Sequence, residues 1–353
     1  MSSAAGLNVT DNQAQPQGVE TQSPTPRNLV DYSPRDKVWD VHRWQSEYVA
    51  AFLRFGARGR SDSDERALLL KHAQRMDECS QALGFHWLHD EETGEVSIKL
   101  DDTRFCRVRY CPICQWRRSL MWRARFYNAL PGLQAQFPKH RFLFLTLTVR
   151  NCPIAELRTT LVEMGKSWNR LRLRPEFKII AGWLRTVEVT YSLSDTGDSH
   201  PHYHALLMVP PSYFKGTSYL SQARWTALWK SCARLEYTPM VNIKAVKPKG
   251  STGNVKDMSV ETMQNAVMET LKYSTKPGDM TQTPEWLAEY AVQTWKMRFI
   301  ASGGALKNVL KEDEETNQDL ITPEGQEESG EVTEKSALMF DWETGDKKYR
   351  RRK

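Results

Sequence analysis

The clearest hydrophobic–polar pattern in the chain is a pair of alternating stretches, 183–191 and 200–209, joined by the turn-forming run Ser-Asp-Thr-Gly-Asp-Ser. In the first, Leu184, Thr186, Glu188 and Thr190 fall on one face of an extended chain, with Val187 and Val189 on the other. In the second, His202, His204 and Leu206 share a face, and Tyr203, Ala205 and Leu207 take the opposite one. The connecting residues suit an antiparallel hairpin. With Thr196 at its tip, Glu188 faces His204 and comes within metal-binding reach of both imidazoles. A half-exposed polar strand could also carry histidines. It has no need of two at period two with a carboxylate opposite. His200 falls in the turn, outside the paired strands, as an outer contact of the site or a solvated residue.

The same reading predicts further elements. FLFLTLTV, from 142 to 149, is apolar on both faces and predicts a central strand ending at Asn151-Cys152-Pro153. VNIKAVKP at 241–248 predicts another strand, and Gly250 to Asp257 a loop. Apolar residues at helical spacing predict helices over about 38–56, 63–83, 154–172, 221–235, 260–275 and 284–300. Residues 1–35 are rich in Ser, Gln, Asn, Pro and Thr without periodicity and predict a disordered leader.

Cysteines change this picture between the early helices and the first strand. Cys106, Cys111 and Cys114 cluster in CRVRYCPICQWRR, where a Cys-Pro-Ile-Cys loop lets two thiolates grip one tetrahedral zinc. Cys106 supplies a third thiolate and Cys79 the fourth, with His86 and His89 as competitors for that place. The competing reading is a set of buried free thiols. Arg117 and Arg118 follow with Arg123 and Arg125 on a predicted helix, a face for phosphate contact or simply a solvated surface.

Composition narrows the class. The 353 residues are 40% hydrophobic and 26% charged, enough for one large domain or two modest ones. No apolar run is long enough to span a bilayer, and the N-terminus lacks the basic and apolar regions of an export signal. These features predict a cytoplasmic protein without a membrane partner, in a reducing compartment where clustered thiols favour metal over disulfides. The net charge of +6 hides an asymmetry: residues 312–346 hold 13 acidic residues and one Lys, leaving +12 on residues 1–311. That excess favours a polyanionic partner. The acidic stretch and the terminal KKYRRRK predict a disordered tail.

The last chemical element is VETMQNAVMETLKYSTKPGD, a predicted helix stopped by Pro277-Gly278. Glu269 and Tyr273 are four apart and share a helix face, and Lys272 and Lys276 flank the phenol. Nearby cations favour a phenolate and offset charge on a phosphate under attack. An isolated tyrosine of this kind is more often an amphipathic core residue, so the assignment needs context.

Together these residues resemble the plasmid rolling-circle replication initiators of the HUH endonuclease superfamily, over about residues 79–310. FLFLTLT is similar to that family's first motif, HPHYHALLMV to its second and VMETLKYSTK to its third, while CRVRYCPICQWRR and Cys79 resemble a Cys-rich block in one branch. The resemblance implies an α+β fold: a central antiparallel sheet of about five strands with flanking helices, beside a small Cys-rich zinc-binding lobe. It divides the chain into a leader (1–35), a helical zinc lobe (36–135), a nicking domain (136–310) and a tail (311–353). It implies Mn²⁺ or Mg²⁺ at His202, His204 and Glu188, and Zn²⁺ at the four cysteines. Tyr273 would attack a phosphate of the plasmid origin, leaving a 5′-phosphotyrosyl link and a 3′-OH primer, with Glu269 activating water at termination and Lys276 assisting. Arg117, Arg118 and Lys272 would contact DNA. A host helicase and polymerase are implied partners, because no phosphate-binding Gly-rich Lys motif is present. Two other readings compete: a transposase or relaxase with the same His pair, and a non-catalytic zinc-dependent DNA-binding regulator.

Overall fold

Central to the fold is the strand β3 (Arg141–Thr148), whose β-branched and bulky apolar residues suit a position buried on both faces. In the computed structural model, residues 27–90, 93–192, 198–247, 260–272, 275–310, 315–321, 331–332 and 335–353 are described. Ahead of β3 come α1 (Lys37–Arg58), α2 (Ser63–Asp77), β1 (Ala82–His89), β2 (Val96–Asp102) and α3 (Pro112–Gln136). After it come α4 (Leu157–Arg172), β4 (Gly182–Tyr191), β5 (Asp198–Val209), α5 (Gln222–Ala233) and β6 (Val241–Ala245). The chain continues through α6 (Val260–Thr270), α7 (Pro284–Gln293), β7 (Ile300–Gly304), β8 (Leu338–Glu343) and β9 (Lys348–Arg351). The fold is α+β, as expected.

The central sheet runs β6-β3-β5-β4-β7 with every pair antiparallel, and Cys152–Pro153 adds a short sixth strand against the start of β5. Alternation sorts its side chains onto two faces. Leu143, Leu145, Leu147, Val187, Val189, Tyr203, Ala205 and Leu207 pack with the buried stripes of α4 and α5. Trp168, Trp225 and Trp229 are almost fully buried there, each contributing about 2–3 kcal/mol from apolar burial. Phe142, Leu184, Leu206 and Met208 face the other way, under Phe126 and Leu130 of α3 and Met263 and Val267 of α6. The two histidines belong to this second face.

Several expectations need correction. β4 and β5 pair with Glu188 opposite His202 and Thr186 opposite His204, in place of the expected pairing of Glu188 with His204; the expected tip at Thr196 lies outside the described residues. The shift moves Glu188 by two residues relative to β5, which preserves its face. His200 lies within β5, opposite Thr190, and its Nδ1 stands 2.7 Å from Oδ1 of Asn151. The helix expected over about 284–300 stops at Gln293, and the strand β7 follows it. Gly303 and Gly304 permit its approach, since a Cβ on Gly303 would sit 2.5 Å from the Trp183 ring and Gly304 holds φ +59°.

The disordered tail is the largest correction. β8 and β9 form a hairpin that joins β1 and β2 in a second antiparallel sheet, order β9-β8-β1-β2, with Phe340 and Tyr349 buried in the core. Alternation of Leu338, Phe340 and Trp342 drives this, but net acidity upstream masks it in the sequence. The expected leader likewise ends earlier than 35: a helical turn at Leu29–Tyr32 buries Leu29, and Asn28 bridges to Arg350. Residues 1–26 of the expected leader and the expected loop at 250–257 lie outside the described residues.

Candidate metal and strand-cleavage site

Glu188, His202 and His204 converge in the middle of the sheet. Oε2 of Glu188 stands 3.0 Å from Nε2 of His202 and 2.8 Å from Nε2 of His204, and all three residues are nearly buried. The tautomer of His202 follows from its other ring nitrogen. Nδ1 of His202 lies 3.3 Å from the His200 carbonyl, which can only accept, so Nδ1 donates and Nε2 presents a lone pair when the ring is neutral. Nδ1 of His204 lies 3.3 Å from the Thr146 hydroxyl, and the ring stacks on Phe144. Lone pairs from two imidazoles and a carboxylate meeting at one point repel unless a proton or cation lies among them. The donor set fits a divalent ion.

Electrostatics agree with that fit. Burial alone would raise the Glu188 carboxyl, but with protons on the facing ring nitrogens the hydrogen bonds from His202, His204 and Lys272 hold it well below the usual range. An ion at that point would take the place of those protons. Burial pushes the His204 ring down, favouring the neutral form that ligates metals.

The end of α6 covers this centre. The Thr186 hydroxyl donates to the Thr270 carbonyl at 2.7 Å, fixing the helix end onto β4. Nζ of Lys272 then reaches Oε2 of Glu188 at 2.8 Å and Oε1 of Glu269 at 2.5 Å. Burial opposes charge on Lys272, yet the two carboxylates raise its pKa overall. Oε1 of Glu269 is 3.9 Å from Nε2 of His204, with the side chain about half exposed. Tyr273 lies outside the described residues. Lys276 is exposed at the start of the short helix Pro277–Met280, and nothing among its described contacts ties it to the His pair. Sequence reasoning passed over Thr146 and Thr186, the register partners of His204 on its two sides. Their signal was present: hydroxyls at inward positions of otherwise apolar strands.

A second cluster lies at the start of α3. Cys79, Cys106, Cys111 and Cys114 are all buried and free of disulfides. Sγ of Cys114 is 3.7 Å from that of Cys79 and 3.6 Å from that of Cys106, and Cys111 is 3.8 Å from Cys79. A tetrahedron with metal–sulfur bonds of about 2.3 Å has edges of about 3.8 Å, so the spacing fits a zinc-sized ion. The Cys106 amide also donates to Sγ of Cys79, as expected for a thiolate acceptor. Burial pushes the Cys106 and Cys114 thiols up, so four thiolates need a cation to persist there. Neither His86 nor His89 belongs to the cluster. His86 pairs with Asp101 at 3.0 Å, and His89 is exposed at the end of β1.

The arginine face of α3 is not free for phosphate, which corrects the expected role of Arg117 and Arg118. Arg117 lies against Trp39 and Trp116 and donates to the Leu320 and Ile321 carbonyls at 2.7 Å each. Burial pushes its guanidinium down to about 10. Arg118 is ion-paired with Glu315 at 2.6 Å and donates to the Arg107 carbonyl. Arg125 binds Asp319 at 2.8 Å. These arginines hold the acidic segment 315–321 along the helix.

Comparison with known proteins identifies the family of the chain. The family described as Replication protein matches residues 97–350. A "Protein rep" of Lactiplantibacillus plantarum is 36% identical over 267 residues, covering 72% of this chain and 80% of that one. Another from Bacillus amyloliquefaciens is 34% identical over 298 residues, covering 79% and 84%. A third, from Streptococcus pneumoniae serotype 2, is 33% identical over 242 residues, covering 67% and 71%. No solved structure matches the chain significantly. Among the described residues no helix is long and apolar enough to cross a membrane. With the matched span running from β2 through β8 and β9, the chain belongs to the replication protein family, the plasmid replication initiators called Rep.

Proposed function

We propose that this Rep protein starts rolling-circle replication by nicking one strand of its plasmid origin through a tyrosine nucleophile. The observation that carries the reading is the convergence of Glu188, His202 and His204 beneath the end of α6, where Lys272 contacts Glu188 at 2.8 Å. Tyr273 is the next residue in the chain. A divalent ion on the triad, Mn²⁺ or Mg²⁺, would supply charge neutralisation at the scissile phosphate.

The residues of the chain do the rest. Glu188 and the two imidazoles would hold the ion and so fix where the phosphate rests, with His202 oriented by the His200 carbonyl and His204 by Thr146. Tyr273 Oη attacks phosphorus as the bond to the 3′-oxygen breaks, leaving a 5′-phosphotyrosyl link and a 3′-OH that primes a host polymerase. The phenol gives up its proton to solvent and the departing 3′-oxygen takes one up, so the step is proton-neutral overall. Lys272, held by two carboxylates, favours the phenolate. Glu269 is half exposed beside His204 and suited to activate water for release at termination. Lys276, exposed beyond the helix end, would act as an outer cation. The four cysteines hold Zn²⁺ and brace the helical lobe, domain 36–135, against the nicking domain. Strand separation falls to a host helicase, which places the reaction in the bacterial cytoplasm.

Supercoiled origin plasmid incubated with Mn²⁺ and the full-length protein tests the reading. Wild type gives nicked circles with protein on the 5′ end. Tyr273→Phe gives neither, while still shifting origin DNA. A covalent adduct in the variant rejects the assignment, and shifted but intact DNA with wild type favours a non-catalytic regulator.

A further inference from the structure

A cavity of about 670 Å³ opens beside the triad, between α3 of the Cys-rich lobe and the start of β7. Lys272 and Thr186 line it and also belong to the site already described, so the cavity is continuous with that site. Its rim carries Arg107, Lys296 and Arg298, all exposed. Its walls mix apolar side chains, with Met121 and the half-buried Trp122 from α3 and Phe299 opposite, and polar ones, Gln115 and the Arg118–Glu315 pair. Arg107 and Lys296 hold left-handed backbone, φ 56° and 58°, which L-residues with long side chains rarely adopt. Such conformations persist where surrounding structure enforces them, and they gather at binding sites.

We propose that this cavity receives an unstacked nucleotide of single-stranded DNA next to the strand break. The proposal rests on the nicking function above and gives its substrate a location. A cationic rim beside the exposed face of an aromatic wall residue, Trp122, matches the two contacts that a single strand makes: phosphates to Lys and Arg, a base to a ring. The volume lies in the range that encloses a ligand of nucleotide size, and a paired, stacked base could not enter it. Both lobes supply walls, Arg107 and Trp122 from one and Lys296 and Arg298 from the other. The DNA-reading cations of this junction are therefore the exposed Arg107, Lys296 and Arg298. Arg118 also lines the cavity but is paired with Glu315, and Arg117 donates to main-chain carbonyls.

The test uses fluorescein-labelled oligo(dT) of about 15 nucleotides, a duplex of equal length, and full-length protein without added divalent ion. Anisotropy should show wild type preferring the single strand. Arg107→Gln/Lys296→Gln/Arg298→Gln should weaken it at least ten-fold. The slope of log affinity against log salt should fall by about two, since each single-strand phosphate contact contributes about 0.7. Trp122→Leu should weaken binding about ten-fold with the slope unchanged, because stacking releases no counterions. Equal affinity in the triple variant, or a wild-type preference for duplex, overturns the proposal. Neither the divalent ion nor Tyr273 enters this assay. Loss of nicking with intact oligo(dT) binding would therefore count against the proposed function and leave the cavity's role standing.

Discussion

Lys272 and Glu188 form an ion pair of 2.8 Å that joins the chain just beyond α6 to the middle of the sheet. The carboxylate is shared, because the same oxygen faces both imidazoles. It sets the charge that a divalent ion would meet and anchors the segment leading into Tyr273.

Replacing Glu188 by Gln keeps the shape and removes the charge. The metal concentration for half-maximal nicking should rise about 10–100-fold, the range found when a metal site loses an important partner. Titration of Mn²⁺ against nicking rate checks this, and an unchanged midpoint would remove Glu188 from the site.

Glu269→Ala should leave the first nick within about three-fold of wild type while the yield of closed circles falls at least ten-fold. Glu269 stands 3.9 Å from His204 and half exposed, which suits a group acting on water rather than holding the phosphate. Counting nicked and closed products over a time course decides it. Equal closed-circle yield would assign termination elsewhere.

The four-cysteine cluster should carry one zinc per chain by elemental analysis. Cys79→Ser should lose it and lower the melting temperature by at least about 5 °C, because a buried ligand set stabilises only the folded state. Retained metal in that variant would contradict the assignment.

Stability should also depend on His72, whose ring is buried with Nδ1 2.5 Å from the Tyr110 hydroxyl. Burial, with Arg75 and Lys71 nearby, pushes it down to about 4. The unfolded chain, with an imidazole pKa of about 6.5, then binds a proton that the folded chain refuses. Stability should fall as pH drops from about 6.5 to about 4, by up to about 3 kcal/mol, and this contribution should level off below. His72→Gln should flatten that limb in denaturant unfolding followed across pH. An unchanged limb would place the titration elsewhere.

Much of this protein could be read before folding. Period-two alternation placed Glu188, His202 and His204 on one face, and a register shift of two residues left that face intact. The Cys-Pro-Ile-Cys loop identified the thiolate cluster, and helical stripes such as Leu157, Leu161, Met164 and Trp168 buried as expected. These signals are local, because one element's periodicity determines which side chains share a side.

Other features depended on partners distant in sequence. Arg117 looks like a phosphate ligand until Leu320 and Ile321 arrive to accept its protons. Phe340 and Tyr349 sit in a charged tail until β1 offers an open edge to pair with. Cys79 stands in the cluster as the sequence suggested, and the fold removes its competitor His86 by pairing that imidazole with Asp101. Periodicity says which way a side chain points, but only the assembled fold says what it meets there.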